Sequence, residues 1–188
     1  MSSERSPGEF PFSGVGSLLL SDVSGFSAAV SEINPLELIE VMGRILEAER
    51  RCIHEADGFM PYSGVAEVMM AVWGSSASGS SHADFAVETG RKILAESRRV
   101  RAETDFSLQI RLAVTTGKMT VTTIGGRHQV YGGPFTTAQR LLELAVPRRS
   151  HLLCTSETLE LVSARPPSDS IATIRGCSGH DVPVFEFT

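Results

Sequence analysis

The stretch Leu18-Leu19-Leu20-Ser21-Asp22-Val23-Ser24-Gly25-Phe26-Ser27 decides how this chain is read. An apolar run ends in a carboxylate, and a Gly-Phe-Ser turn leads out of it toward a helix. A carboxylate at a strand end, beside a helix N-terminus with unpaired amides, is a natural place to hold a metal ion and phosphate oxygens. Asp-x-x-Gly also occurs as an ordinary strand-to-helix turn, in which Asp22 bonds only the amides that follow it. The rest of the chain has to decide between the two.

Composition narrows the field. At 188 residues the chain has the length of one domain, enough for a single core without metals or disulfides. It is 41% hydrophobic and 21% charged, ordinary values for a soluble globular protein. A net charge of -5 and a pI of about 5.5 argue against nucleic acid or an anionic membrane as a partner. Cys52, Cys154 and Cys177 are odd in number and widely separated, so they read as free thiols rather than a disulfide frame. Cys52-Ile-His54 and Cys177-Ser-Gly-His180 are poor metal candidates. Met1 to Phe10 lacks the apolar segment of a secretion signal, and no apolar run reaches transmembrane length, so a cytoplasmic location is expected.

Met1 to Ser13, rich in Ser, Pro and Gly, reads as a flexible arm, leaving residues 14–188 as one domain. Val15 to Val23 reads as a buried strand, followed by a short helix near Phe26 to Ser31. A longer helix runs from Pro35 to about Glu55, with Asn34 as N-cap and Leu38, Ile39, Met42, Ile45 and Leu46 on one stripe. Phe59 to Val65 and Val68 to Trp73 read as a hairpin, and His82 to Arg101 as a helix ending in Arg98, Arg99 and Arg101, where cations suit the dipole. Phe106 to Thr115 alternates as a strand, Gly117 turns into a second strand from Met119 to Ile124, and Gly125-Gly126 turns again. A helix from Phe135 to Leu144, a strand from His151 to Cys154, a short helix from Glu157 to Val162 and two closing strands, Ile171 to Arg175 and Val182 to Phe187, complete the chain. This order predicts an α/β sandwich whose mixed sheet carries its helices on one side. Gly14-Val15-Gly16 lacks the third glycine of a dinucleotide loop.

From Gly14 to Thr188 the chain resembles a class III nucleotidyl cyclase homology domain. Asp22-Val23-Ser24-Gly25-Phe26-Ser27 matches the family's Asp-hydrophobic-x-Gly-Phe-Ser/Thr metal segment. Glu67-Val68-Met69-Met70-Ala71-Val72-Trp73-Gly74 resembles its Gly-Asp-x-x-x-Ala-x-Phe-Gly hairpin, and His82-Ala83-Asp84 the start of the next helix. Ile110 to Gly117 is similar to its Ile-Gly-Ile-His-x-Gly strand, and Val130 to Leu141 to its Gly-Asp-x-Val-Asn-x-Ala-x-Arg-Leu segment. Ile174-Arg175-Gly176 and Val182-Pro183-Val184-Phe185 resemble the closing strands. The resemblance implies a ferredoxin-like α/β sandwich with a mixed, mostly antiparallel sheet.

It also implies a chemistry. Such domains bind a nucleoside triphosphate between two subunits placed head to tail, with two Mg²⁺ or Mn²⁺ ions on two carboxylates. The ribose 3′-hydroxyl attacks the α-phosphate and pyrophosphate leaves. Carried over position by position, the metal carboxylates fall on Asp22 and Glu67, the latter one methylene too long. Gly25 and Phe26 lie in the phosphate-side turn. The transition-state Arg falls on Arg140 and the ribose Asn on Thr136. The phosphate Lys falls on Cys177, the base-reading Lys on Ser63 and its partner on Gln129.

Only two of the seventeen basic residues are lysines, Lys92 and Lys118, and neither lies near these places in the chain. Losing one preorganised donor costs roughly a hundred- to a thousandfold in rate. The resemblance therefore implies a degenerate domain with little or no cyclase activity, a nucleotide-binding or regulatory and interaction module. Two alternatives stay open. One is an active cyclase of unusual base selectivity, with Gln129 and Ser63 reading the base and Arg148 and Arg149 replacing the phosphate lysine. The other is the metal-binding half of a heterodimer with a second cyclase-like chain. A head-to-tail dimer is the expectation in every case. The bland readings also remain: a solvated Glu67, and Arg140 paired with Glu143 or Glu157.

Overall fold

The computed structural model describes residues 12–24, 34–61, 68–74, 82–104, 108–163, 169–177 and 179–187. The apolar run that opened the sequence reading becomes β1 (Phe12–Ser24), a strand at the heart of the sheet. Successive side chains on a strand point to opposite faces. Leu19 and Val23 therefore enter one core and Leu18 and Leu20 another, all of them buried. A strand covered on both faces has no polar side to show, which is why the run is nearly continuous in leucine. It begins at Phe12, so Phe12 and Ser13 belong to the sheet and not to the expected arm.

β1 pairs antiparallel with β2 (Val68–Gly74) on one side and β3 (Gln109–Ile124) on the other. β4 (Arg127–Gly132) folds back on the end of β3 through Gly125 and Gly126, whose φ angles of 59° and 75° suit a tight hairpin turn. β3 pairs in parallel with β5 (Leu152–Thr155), and β7 (Asp181–Glu186) then β6 (Ala172–Arg175) extend the sheet antiparallel. Among the described residues the order is β2-β1-β3-β5-β7-β6, with β4 beside β3.

One expected turn is absent. β3 runs unbroken through Gly117, which pairs with Gly16 of β1. Glycine in a strand interior can mark a close approach instead of a reversal. A Cβ on Gly117 would lie 3.1 Å from the ring of Pro134, so the glycine admits the start of the following helix. Gly74, Gly16 and Gly117 form one row across β2, β1 and β3. A Cβ on Gly16 would stand 2.7 Å from the Trp73 carbonyl oxygen, a backbone atom that cannot swing aside. Gly16→Ala is expected to cost about 1–3 kcal/mol through strand displacement, read as a lower midpoint in urea unfolding. An unchanged midpoint would show that β1 and β2 can separate freely there.

α1 (Pro35–Glu55) and α2 (His82–Glu103) lie where the apolar periodicity put them, α1 capped by Asn34 Oδ1 accepting from the Leu36 amide at 3.0 Å. α3 (Gly133–Arg148) is longer than expected at both ends, and α4 (Ser156–Leu159) is a single turn. Of the expected hairpin at residues 59–65, Phe59 bridges Val72. Residues 62–67 and the helix expected near Phe26 lie outside the described residues. The α/β sandwich with a mixed, mostly antiparallel sheet is as expected, but the helices are not all on one side. α1 and α2 cover the face carrying Leu19, Leu112 and Val114, while Ala138, Leu141 and Ala145 of α3 cover the face carrying Leu18, Leu20 and Ala113. Two apolar faces need two covers, and α3 supplies the second.

Candidate functional site

Asp22 stands near the C-terminal end of β1, directly across from Arg111 of β3. Both side chains fall on the α3 face, and an Arg111 guanidinium N–H donates to Asp22 Oδ2. The pair is largely withdrawn from water, the two side chains being 23% (Asp22) and 15% (Arg111) exposed. It borders a cavity of about 240 Å³ with apolar walls from Leu20, Val68, Phe135, Leu142 and Val146. The remaining Arg111 Nε is buried and has no partner among the described residues.

Asp22 is the expected anchor for a divalent cation, and its surroundings can be tested for that role. Mg²⁺ demands near-octahedral oxygen ligands, usually with a free carboxylate among them. Here a fixed positive charge already stands on Asp22, and no group of three or more His, Cys, Asp or Glu side chains converges anywhere among the described residues. A cation at this carboxylate would compete with Arg111 for it. Glu67, the second expected ligand, lies outside the described residues, as do Gly25, Phe26 and Ser63.

On the opposite face of β1 the structure holds a residue that sequence reading missed. Glu49 of α1 is fully buried and accepts a 2.7 Å hydrogen bond from Ser21 Oγ, the residue beside Asp22. Its other oxygen, Oε1, has no partner among the described residues. Burial pushes its carboxyl up to about 7, against a smaller lowering by the Ser21 hydrogen bond. The signal was present: Glu49 follows Ile45 by four residues on the apolar stripe of α1, where a charge has no business unless it is partnered or neutral.

The other expected residues gather elsewhere. At the start of α3, Cys177 in the β6–β7 turn donates weakly to the Gly133 carbonyl, Sγ to O 3.6 Å, and lies 3.9 Å from Thr137 Oγ1. Thr136 is exposed in the first turns of α3. Arg140, one turn on, donates to the Arg175 carbonyl and pairs with neither Glu143 nor Glu157. A cavity of about 270 Å³ opens here, walled by Gly117, Lys118, Thr137, Glu157 and Cys177. Lys118, 59 positions from Cys177 in the chain, also borders this cavity. Arg148 and Arg149, weighed as replacements, sit at the opposite end of α3, about 22 Å away at 1.5 Å per helical residue. Gln129 lies exposed on β4 and accepts from Tyr131 Oη at 2.9 Å.

A chain of hydroxyls runs behind this second cavity. Ser17 Oγ is 2.8 Å from His82 Nδ1 and 2.6 Å from Thr116 Oγ1, which accepts from Thr158 Oγ1 at 3.1 Å. Burial lowers the His82 pKa, so the neutral imidazole can accept from Ser17. These residues come from β1, α2, β3 and α4, and nothing in the local sequence ties them together.

The two half-sites stand apart. Cys177 and Lys118 adjoin the Gly16–Gly117 row, six residues along β1 from Asp22, about 20 Å at 3.3 Å per strand residue. One chain by itself does not bring them together.

Residues 12–174 match the family model described as the adenylate and guanylate cyclase catalytic domain. Among solved structures, the adenylyl cyclase CyaB from P. aeruginosa superposes with a TM-score of 0.80 at 19% identity, over 94% of this chain and 95% of that one. The guanylyl cyclase Cya2 gives a TM-score of 0.80 at 19% identity, over 94% and 92%. The guanylate cyclase domain of RhGC from Catenaria anguillulae, solved in complex with GTP, gives 0.75 at 14% identity, over 90% and 93%.

Proposed function

The chain belongs to the family of adenylate and guanylate cyclase catalytic domains, and from that premise we propose that it is a degenerate member. It binds a nucleoside triphosphate between two head-to-tail chains and closes the ring slowly or not at all. The observation that carries this reading is the Asp22–Arg111 pair. Ring closure needs the 3′-oxygen to attack the α-phosphate while charge builds on the phosphoryl oxygens and the leaving pyrophosphate. In this family divalent cations supply the counter-charge for both. At Asp22 a guanidinium already holds Oδ2, so it competes with a cation for that carboxylate.

The other replacements act in the same direction. Thr136 cannot present an amide to the ribose, Cys177 brings no charge to the phosphates, and Ser63 cannot donate from an ammonium to a base. The two that serve ribose and phosphate, at positions 136 and 177, set the scale of the loss at roughly a hundred- to a thousandfold each, an upper bound because such groups act as a unit. The dimer is supported by the split of the half-sites. A second copy in reverse orientation would set the Cys177 end of one chain against the Asp22 end of the other. The apolar cavity beside Asp22, with exposed Val68 and Val146 at its rim, suits that contact.

Incubation with ATP, GTP, CTP and UTP in turn, with Mg²⁺ or Mn²⁺, tests the reading. Cyclic product is expected at least about a thousandfold below that of an intact cyclase domain assayed alongside. Product within tenfold of that standard, and abolished by Asp22→Ala, would end the degenerate reading.

A further inference from the structure

We propose that Ser17, Thr116 and Thr158 form a reversible relay, in which protonation of His82 turns every hydroxyl of the chain around, as far as the Val114 carbonyl. Ser17 Oγ is 2.8 Å from His82 Nδ1 and 2.6 Å from Thr116 Oγ1. Thr158 Oγ1 stands 3.1 Å from Thr116 Oγ1 and 3.3 Å from the Val114 carbonyl oxygen. Ser17 and Thr158 are fully buried and Thr116 nearly so, which leaves these groups to one another.

A hydroxyl has one hydrogen to give, so the chain has a direction. Beside a neutral imidazole, Thr158 donates to Thr116, Thr116 to Ser17 and Ser17 to His82 Nδ1. The ring hydrogen is then on Nε2. An imidazolium carries a hydrogen on both nitrogens and can only donate from Nδ1. Ser17 then donates to Thr116, Thr116 to Thr158, and Thr158 to the Val114 carbonyl. Each hydroxyl hydrogen finds an acceptor in both orders, and only hydrogens move. The carbonyl makes the second order available, because without it the reversal would strand a buried hydrogen at Thr158.

Little charge competes for control of His82. β2 has no ionisable side chain, and Asp22, the one on β1, lies on the other face of the sheet. Residues 75–81 contain none either. On β3, Lys118 follows Thr116 on the same face. On α2, the Asp84 carboxylate accepts from the Ser163 amide and hydroxyl at 2.7 and 2.8 Å. Glu88 of α2 and Glu157 beside α4's Thr158 are exposed. Burial is what lowers the His82 pKa, so the first order holds at neutral pH and acid selects the second.

NMR titration of the full chain with isotope-labelled histidine reports the tautomer and pKa of each ring and so provides the test. The parent should show His82 as the Nε2–H tautomer at neutral pH. Thr158→Val alters a group that does not touch His82. It leaves the first order intact but strands the Thr116 hydrogen in the second, so the proton affinity of His82 is expected to fall about tenfold. Thr116→Val strands the Ser17 hydrogen instead and should act in the same direction, which keeps the test open if Thr158→Val does not fold. Thr158→Ser keeps the hydroxyl and should titrate within about twofold of the parent. His54, His128, His151 and His180 are internal controls and should not move. A His82 that titrates as in the parent when Thr158 is valine overturns the relay. So does an Nδ1–H tautomer in the parent at neutral pH, or an equal shift of all five histidines.

Discussion

Glu49→Gln is expected to stabilise the protein above neutral pH and to leave it unchanged at pH 4. The carboxyl sits at about 7 in the folded chain against 4.5 for the free group, because burial opposes its ionisation. Below 4.5 it is protonated in both states and contributes nothing to pH dependence. Between 4.5 and about 7 the unfolded chain releases the proton while the folded chain keeps it, so stability falls as pH rises. Above about 7 the loss is complete. The 2.5-unit interval between the two values corresponds to about 3 kcal/mol. For a chain of this length that is on the order of 10 °C in Tm. Subtracting the curve of Glu49→Gln from that of the parent cancels other titrating groups. A gap that opens across this window and then levels is the expected result. A gap that stays flat within about 0.5 kcal/mol would show that Glu49 is not neutral at pH 6.

Arg111→Ala tests the guanidinium that stands on Asp22. Removing one member of a fully buried ion pair costs about 3–5 kcal/mol. Because this pair keeps some contact with water, with the side chains 23% and 15% exposed, about 2 kcal/mol is expected. The double variant Asp22→Asn, Arg111→Ala should regain about half of it, since no charge is then left unpaired. Mn²⁺ distinguishes a merely structural pair from one that excludes a cation. It should leave the Tm of the parent unchanged and raise that of Arg111→Ala, the rise corresponding to about 2.7 kcal/mol of stabilisation at a concentration one hundred times its Kd. The double variant should not respond. If Mn²⁺ stabilised the parent as much as Arg111→Ala, the guanidinium would not be standing in the cation's way.

How far the sequence reaches differs between fold and site. Alternation at the start of β3 and the 3.6-residue stripe of α1 identify strand and helix because burial imposes those periods on the residues themselves. The family resemblance reads equally well, its motifs being contiguous segments. Gly117 misled, since glycine marks turns and close approaches alike, and only the pairing of Gly16 with Gly117 tells which. Arg111 passed as an ordinary strand residue until the register of β1 and β3 set it across from Asp22. Glu49 was visible as a charge on an apolar stripe, yet its partner Ser21 lies in another element.

The sequence by itself determined the succession of most strands and helices and the family. Those follow from local periodicity and from residues adjacent in the chain. The tertiary structure alone decided which polar groups meet: Arg111 on Asp22 and Ser21 on Glu49. The reason is physical. Hydrophobic patterning acts along the chain at fixed intervals, whereas a hydrogen bond or ion pair depends on a few ångströms between residues that may be 89 positions apart, as Asp22 and Arg111 are.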